Sequence, residues 1–372
     1  MSMAAIQATA GAPLRAPGRD QRLDAIRGWM QLSICYSHAF GSFAGAWLIH
    51  AGWGLSDSSE QFVFLSGFGL GSVFVLKQAR GGWPVALRDL GLRMARLWRM
   101  HLIVFLGFGL MVASAATWLG APGWEFAALE PGLALAGGAL LLYQPAFMGI
   151  LPLFLFGMAS LPAFALAMQR FGTLALMLPA ALYVLSQLLP ADLAGLFGTT
   201  LAFNPLAWVP LFMLGVWFGR QALLHGRAIG RHPLLVAAAA TLILVGAIMH
   251  KAGWLPNALV GKEQLAPLRL LHALACAYLV AALIPRDVAW ARGRIAGWLA
   301  VLGRNSLQVF SLGLFFSYIA ATAFRLAPAM QWWTEPLLLA SGSMVLWAFA
   351  RWIEGRRAMA SAVPRRPHMK LL

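Results

Sequence analysis

Apolar residues run through this chain in long blocks, and the charged residues gather at the block ends. One helical crossing of a bilayer needs about 20 mostly apolar residues. Ten blocks of roughly that length fall at approximately 25–49, 60–79, 101–119, 150–168, 172–190, 205–222, 233–250, 267–285, 298–320 and 333–352. The pattern predicts an all-α, polytopic membrane protein with about ten transmembrane helices. An eleventh stretch, 131–148, is apolar but broken by Gly and Pro. It reads as a re-entrant or short surface-lying segment, because a full crossing there would invert every later loop against the charge distribution.

That distribution is one-sided. With ten crossings, 24 of the 28 Lys and Arg residues fall on one face; the exceptions are Lys251, Lys262, Arg269 and Arg325. Basic loops mark the cytoplasmic side, so both termini are expected in the cytoplasm of a bacterial inner-membrane protein. A net charge of +16 could suggest nucleic acid, but charge placed beside apolar ends is better explained by lipid headgroups. No nucleic-acid partner is expected. Only 11% of the 372 residues are charged, against about 25% in soluble domains, so membrane lipid is the main solvent. Residues 1–19 hold two prolines and no long apolar core, which argues for a disordered cytoplasmic lead and against a cleaved signal peptide. A single transmembrane domain is expected over 20–355, then a basic tail over 356–372. Residues 83–99 read as a cytoplasmic amphipathic helix with Arg88, Arg96 and Arg99 on its basic face.

Ionisable side chains inside such blocks are costly unless paired or hydrated, so each is a candidate for function. In the first block Arg27 and His38 are eleven residues apart. That is about 20° from three full turns, with roughly 16 Å of axial rise. Asp24 lies about 40° off the same line. The second block opens with Ser56, Asp57 and Glu60, placed to cap a helix and favour its dipole, and continues through Ser66, Gly67, Gly69 and Gly71. Small residues at that spacing let another helix approach closely. His101 follows Arg96 and Arg99, and His272 follows Arg269 by one turn.

Structural roles compete at each position: a packing histidine, a helix cap, or an interfacial tryptophan at Trp53, Trp208 or Trp254, where the alternative is stacking on a sugar ring. The alignment of Arg27 with His38 tips that position toward chemistry. The His, Asp and Glu spacings fit no metal site. Cys35 and Cys276 both fall inside expected helices, and no disulfide is inferred.

The segment Arg22-Leu23-Asp24-Ala25-Ile26-Arg27-Gly28, His38 after ten intervening residues beyond Arg27, and Phe62-Val63-Phe64-Leu65-Ser66-Gly67 together resemble the membrane acyltransferase-3 superfamily. Within it the chain is most similar to the OpgC family, the succinyltransferases of osmoregulated periplasmic glucans. Glu60 and the stretches at 150–153, 203–208, 265–272 and 302–307 sharpen the likeness, which runs from residue 22 to about 313. Phe154 stands where a Tyr is expected and Asn305 where a His is common.

The resemblance implies a cytoplasmic acyl-CoA donor, with succinyl-CoA expected, and an acceptor hydroxyl on a periplasmic glucan, with no permanently bound cofactor. His38 would be the general base, since a free imidazole has a pKa of about 6.5. Glu60 would orient it, and Ser66 would donate to the developing oxyanion. Asp24, Arg27, Arg96, Arg99 and His101 would serve the donor end; Arg269, His272, Arg304 and Trp208 would serve the acyl group and acceptor. O-acetylation of another surface polysaccharide, and a transporter or flippase without chemistry, remain alternatives at this point. Oligomeric state is not legible.

Overall fold

A computed structural model describes residues 18–189, 195, 200–226 and 229–362. Most of the lead expected over 1–19, and the tail beyond 362, lie outside the described residues. Among the described residues the chain is all-helical, with no strands. The principal helices are α1 (Gln21–His38), α2 (Ser58–Leu119), α3 (Pro131–Ala139), α4 (Ile150–Phe171), α5 (Met177–Leu188), α6 (Pro205–His225), α7 (Pro233–Lys251), α8 (Pro267–Leu283), α9 (Arg294–Arg304), α10 (Ser306–Leu326) and α11 (Gln331–Ala362).

Six helical stretches are long and apolar enough to cross a membrane among the described residues: α2, α4 with α5, α6, α7, α10 and α11. The sequence pattern suggests ten, and the difference has physical causes. At 62 residues, α2 would be roughly 93 Å long if straight, about three times the hydrocarbon thickness. It instead kinks at Gly82, whose φ of 72° lies in the left-handed region, two residues before Pro84. Two expected crossings, 60–79 and 101–119, lie on its two arms, and the amphipathic stretch 83–99 continues without a break into the second. Likewise α4 and α5 hold two expected crossings, joined by a 3₁₀ turn at Gly172–Leu176. The remaining two expected crossings are α1, whose polar stripe lowers its mean hydropathy, and α8, which has only 17 residues.

Boundaries differ for local reasons. The crossing expected over 25–49 ends as an α-helix at His38, because Gly41 has φ 88° and the next residues turn onto Glu335. The one expected over 298–320 is broken at Asn305, which lies outside both α9 and α10. Helix α11 runs through Arg356 and Arg357 to Ala362, into the region expected to be tail. The nine residues of α3 rise only about 14 Å, too short to cross a bilayer.

The chain gathers into two compact units, where the sequence reading drew a single domain. One is built on Ala46–Pro285; the other comprises Asp20–Gly45 and the chain from Arg286 onward. In the first, α2 and α6 pack backbone to backbone. A Cβ on Gly67 would strike the carbonyl of Phe212, and one on Gly215 or Gly219 would strike that of Phe64 or Phe68. The hydroxyl of Ser72 donates to the Gly219 carbonyl at 2.8 Å. This is the close approach that the glycine spacing predicts. In the second, α1 and α9 meet in the same way, with Gly28 against the backbone of Leu299 and Gly303 against that of Asp24. Leu32 and Cys35 of α1 then join Val301, Leu302, Val309, Leu346 and Ala350 in one apolar core.

Candidate functional site

Each unit carries its own polar cluster. In the second unit it lies along α1. Residue positions advance by about 100° along a helix, so Asp24, Arg27, Gln31 and His38 fall within an arc of about 60°. Asp24 is buried; Arg27 and His38 are half-buried. His38 ends the helix, and its Nδ1 lies 2.8 Å from the carbonyl oxygen of Ile34, one turn back. A carbonyl can only accept, so Nδ1 carries the proton. In the neutral ring Nε2 then holds the lone pair, as a general base requires.

The chain after His38 is held by Glu335 of α11, which is 6% exposed. Its carboxylate accepts from the Ser42 hydroxyl at 2.8 Å and from the backbone N–H groups of Phe43 and Ala44 at 3.0 and 2.7 Å. Gln331 donates to it from one turn earlier, at 3.0 Å. Sequence reasoning missed this carboxylate and Gln31. The available signal for both was a polar residue in an otherwise apolar helix.

Arg304 was a candidate for the acyl carboxylate. Its guanidinium instead grips Glu354 with two bonds, Nε to Oε1 at 2.6 Å and a terminal nitrogen to Oε2 at 3.0 Å. Asn305 is 1% exposed. It donates to the Val301 carbonyl and to Glu354 and accepts from Arg357 at 3.0 Å. The departure from a common His therefore falls on a structural junction of the α9–α10 break.

In the first unit the N-terminus of α2 is the centre. Asp57 caps it through the Ser59 amide at 2.7 Å, and Glu60 reaches back to the Asp57 amide at 2.8 Å, a reciprocal capping box. Both carboxylates also bind cations. Arg269 Nε lies 2.6 Å from Glu60 Oε1, another of its nitrogens lies 2.9 Å from Asp57 Oδ2, and Lys262 Nζ lies 2.7 Å from the same oxygen. The third guanidinium nitrogen donates to the Val260 carbonyl at 3.3 Å. Burial pushes the Asp57 carboxyl up, but the charges of Lys262 and Arg269 outweigh it and hold the group well below the usual carboxylate range. The expectation paired Glu60 with His38 and Arg269 with an acyl carboxylate. The structure commits both residues to each other and to this cap, and assigns Glu60 and His38 to different units.

Three further expectations meet buried side chains. Trp208 is 0% exposed; its indole N–H points at the carbonyls of Lys262 and Glu263, at 3.1 and 3.2 Å, and its ring packs on Phe203. It offers no open face to a sugar. His272 is 3% exposed, and its Nδ1 accepts from the Ser56 amide at 3.3 Å. His101, expected at a basic mouth, is 0% exposed and donates from Nε2 to the Gly138 carbonyl at 3.0 Å, pinning α3 to α2. Arg96 and Arg99 are exposed on α2, and Ser66 is half-buried on its first arm. Phe154 packs edge-on against Phe62. Among the described residues no three or more His, Cys, Asp or Glu side chains are grouped to hold a metal ion. Cys35 and Cys276 are free thiols.

These observations define an all-helical membrane protein with an imidazole, a guanidinium and two further polar groups on one helix face. A family model described as OpgC protein matches residues 19–358, and the chain belongs to that family. Membership implies an acyltransferase-type function on glucans. No curated protein and no solved structure matches the chain.

Proposed function

We propose that the chain transfers an acyl group, succinyl by the family likeness, from a cytoplasmic acyl-CoA to hydroxyls of a periplasmic glucan, from a multi-pass position in the bacterial inner membrane. The observation that carries this reading is the tautomer of His38: with Nδ1–H spent on the Ile34 carbonyl, the ring presents a basic Nε2. An alcohol is a poor nucleophile at neutral pH, and a positioned base removes its proton as attack begins. The glucan oxygen bonds to the thioester carbonyl carbon as its proton moves to Nε2. The tetrahedral adduct then collapses, the carbon–sulfur bond breaks, and the imidazolium returns the proton to the departing CoA thiolate. Arg27, on the same helix face, is the cation for the donor phosphates.

The test compares envelope glycans by mass spectrometry with the gene intact, deleted, and carrying His38→Ala. Loss of one acyl mass per modified hydroxyl in the last two strains supports the reading, and the size of the lost mass separates succinyl from acetyl. Loss of the entire glycan would point to transport and overturn it.

A further inference from the structure

Gln31 has a position that the fold alone does not explain. It lies on α1 about 6 Å along the axis from Arg27 and about 10 Å before His38, within about 40° of both around the helix. It is 2% exposed, and both its amide oxygen and its amide nitrogen lack a hydrogen-bond partner. Among the described residues no other side chain has two such buried atoms. The packed seam with α9 and the apolar core run through Gly28, Leu32 and Cys35, on the side of α1 next to Gln31. An aliphatic side chain at position 31 would pack there without leaving polar groups unmet, so packing does not account for an amide. Among the described residues the buried Gln61 and Gln78 each leave one amide atom unmet, and the two buried asparagines are tied down. Asn305 bonds Val301, Glu354 and Arg357, and Asn204 bonds Gln264 and the Leu206 amide.

A carboxamide offers one acceptor and two donors, which complements a secondary amide of a ligand in both directions. The chemistry on either side says which ligand. A cation stands at one end of the stripe and a proton acceptor at the other. In an acyl-CoA the phosphates and the thioester are joined by the pantetheine arm, whose polar groups include two secondary amides. We infer that Gln31 binds an amide of that arm, through its oxygen to the ligand N–H and through its nitrogen to the ligand carbonyl. This rests on the donor being an acyl-CoA, as proposed above. Gln31 is therefore a donor-binding residue and takes no part in the proton transfers.

The experiment uses the purified full-length protein, a glucan oligosaccharide acceptor and two donors, succinyl-CoA and S-ethyl thiosuccinate, which has a thioester but no amide. Gln31→Met removes the hydrogen bonds and keeps the length; Gln31→Leu is the second variant should the first fold poorly. The expected result is a KM for succinyl-CoA raised about tenfold, the loss of roughly one hydrogen-bonded amide. Its kcat stays near wild type, and both constants for the small thioester are unchanged. A purely structural Gln31 would shift the thermal midpoint and treat the two donors alike, and that outcome overturns the assignment. If the wild-type protein uses neither donor, it is the acyl-CoA reading itself that fails. If the wild type uses both and Gln31→Met does not discriminate between them, only the role of Gln31 falls.

Discussion

The Nδ1 atom of His38 sits 2.8 Å from the carbonyl oxygen of Ile34, so the last turn of α1 fixes which ring nitrogen is basic. His38→Ala removes that base and should lower transfer by about 10² to 10⁴-fold, the usual contribution of a general base, while membrane abundance stays normal. His38→Asn retains a polar side chain but no base and should be equally inactive. The check is acyl incorporation into glucan at matched protein levels. Activity within tenfold of wild type in either variant removes His38 from the mechanism.

Arg27 makes a different prediction, because it is assigned to binding rather than to chemistry. Arg27→Ala should raise the KM for the acyl-CoA more than that for the glucan, and Arg27→Lys should recover part of the loss, since the charge remains but the two-pronged geometry does not. Steady-state kinetics with each substrate varied in turn gives the answer. An unchanged donor KM in the alanine variant would count against the assignment.

The clamp of Glu60 and Arg269 is a stability device in the present geometry. Its side chains are 0% and 12% exposed. Removing one partner of a buried pair leaves an uncompensated charge and costs about 3–5 kcal/mol. Arg269→Ala should therefore lower the thermal unfolding midpoint strongly. Combining it with Glu60→Gln should restore part of the loss, because the second change neutralises the stranded carboxylate. Purely additive losses in the double variant would show that the two side chains are not coupled.

Asp57 gives that cluster a defined pH response. Its carboxyl is held below the usual range by Lys262 and Arg269. A group whose folded pKa is depressed contributes stability above its unfolded value, about 3.9 for Asp, and loses it as pH falls toward the folded value. The destabilisation caused by Asp57→Asn should thus be constant from pH 8 to about pH 5 and shrink below about pH 4. Thermal unfolding of both proteins across that range checks it. A difference that shrinks between pH 8 and pH 6 would contradict the ion-pair origin.

Several of these features were legible in the sequence because they depend on local spacing. The capping box at Asp57 and Glu60, the glycine face of α2 and the Arg27–His38 line follow from helix periodicity and end chemistry alone. Contacts between residues distant in sequence were not legible. Nothing local says that Arg269 reaches 209 positions back to Glu60, or that Arg304 is claimed by Glu354. Burial misled in the same way. Trp208 and His101 have the residue types of a binding surface, but their environments depend on which segments cover them. The end of α1 at His38 was missed because Phe40, Phe43 and Trp47 continue the apolar pattern through a stretch where Gly41 breaks the helix.

That break leads to the carboxylate of Glu335, which receives the first residues after the catalytic candidate. Its four bonds, from Ser42, Phe43, Ala44 and Gln331, make it a positioning residue for the segment that follows His38. Glu335→Ala strands two backbone N–H groups and a hydroxyl, and hydrogen bonds to a charged acceptor are worth about 1.5–3 kcal/mol each. The variant should unfold at lower temperature and show reduced kcat with an unchanged donor KM, because the donor-binding groups on α1 stay in place. Glu335→Gln keeps one acceptor oxygen and should recover part of the kcat. A merely structural role would lower abundance and leave kcat per folded molecule at the wild-type value. Activity normalised to folded protein therefore decides whether the Glu335 tie positions the imidazole or only stabilises the unit that carries it.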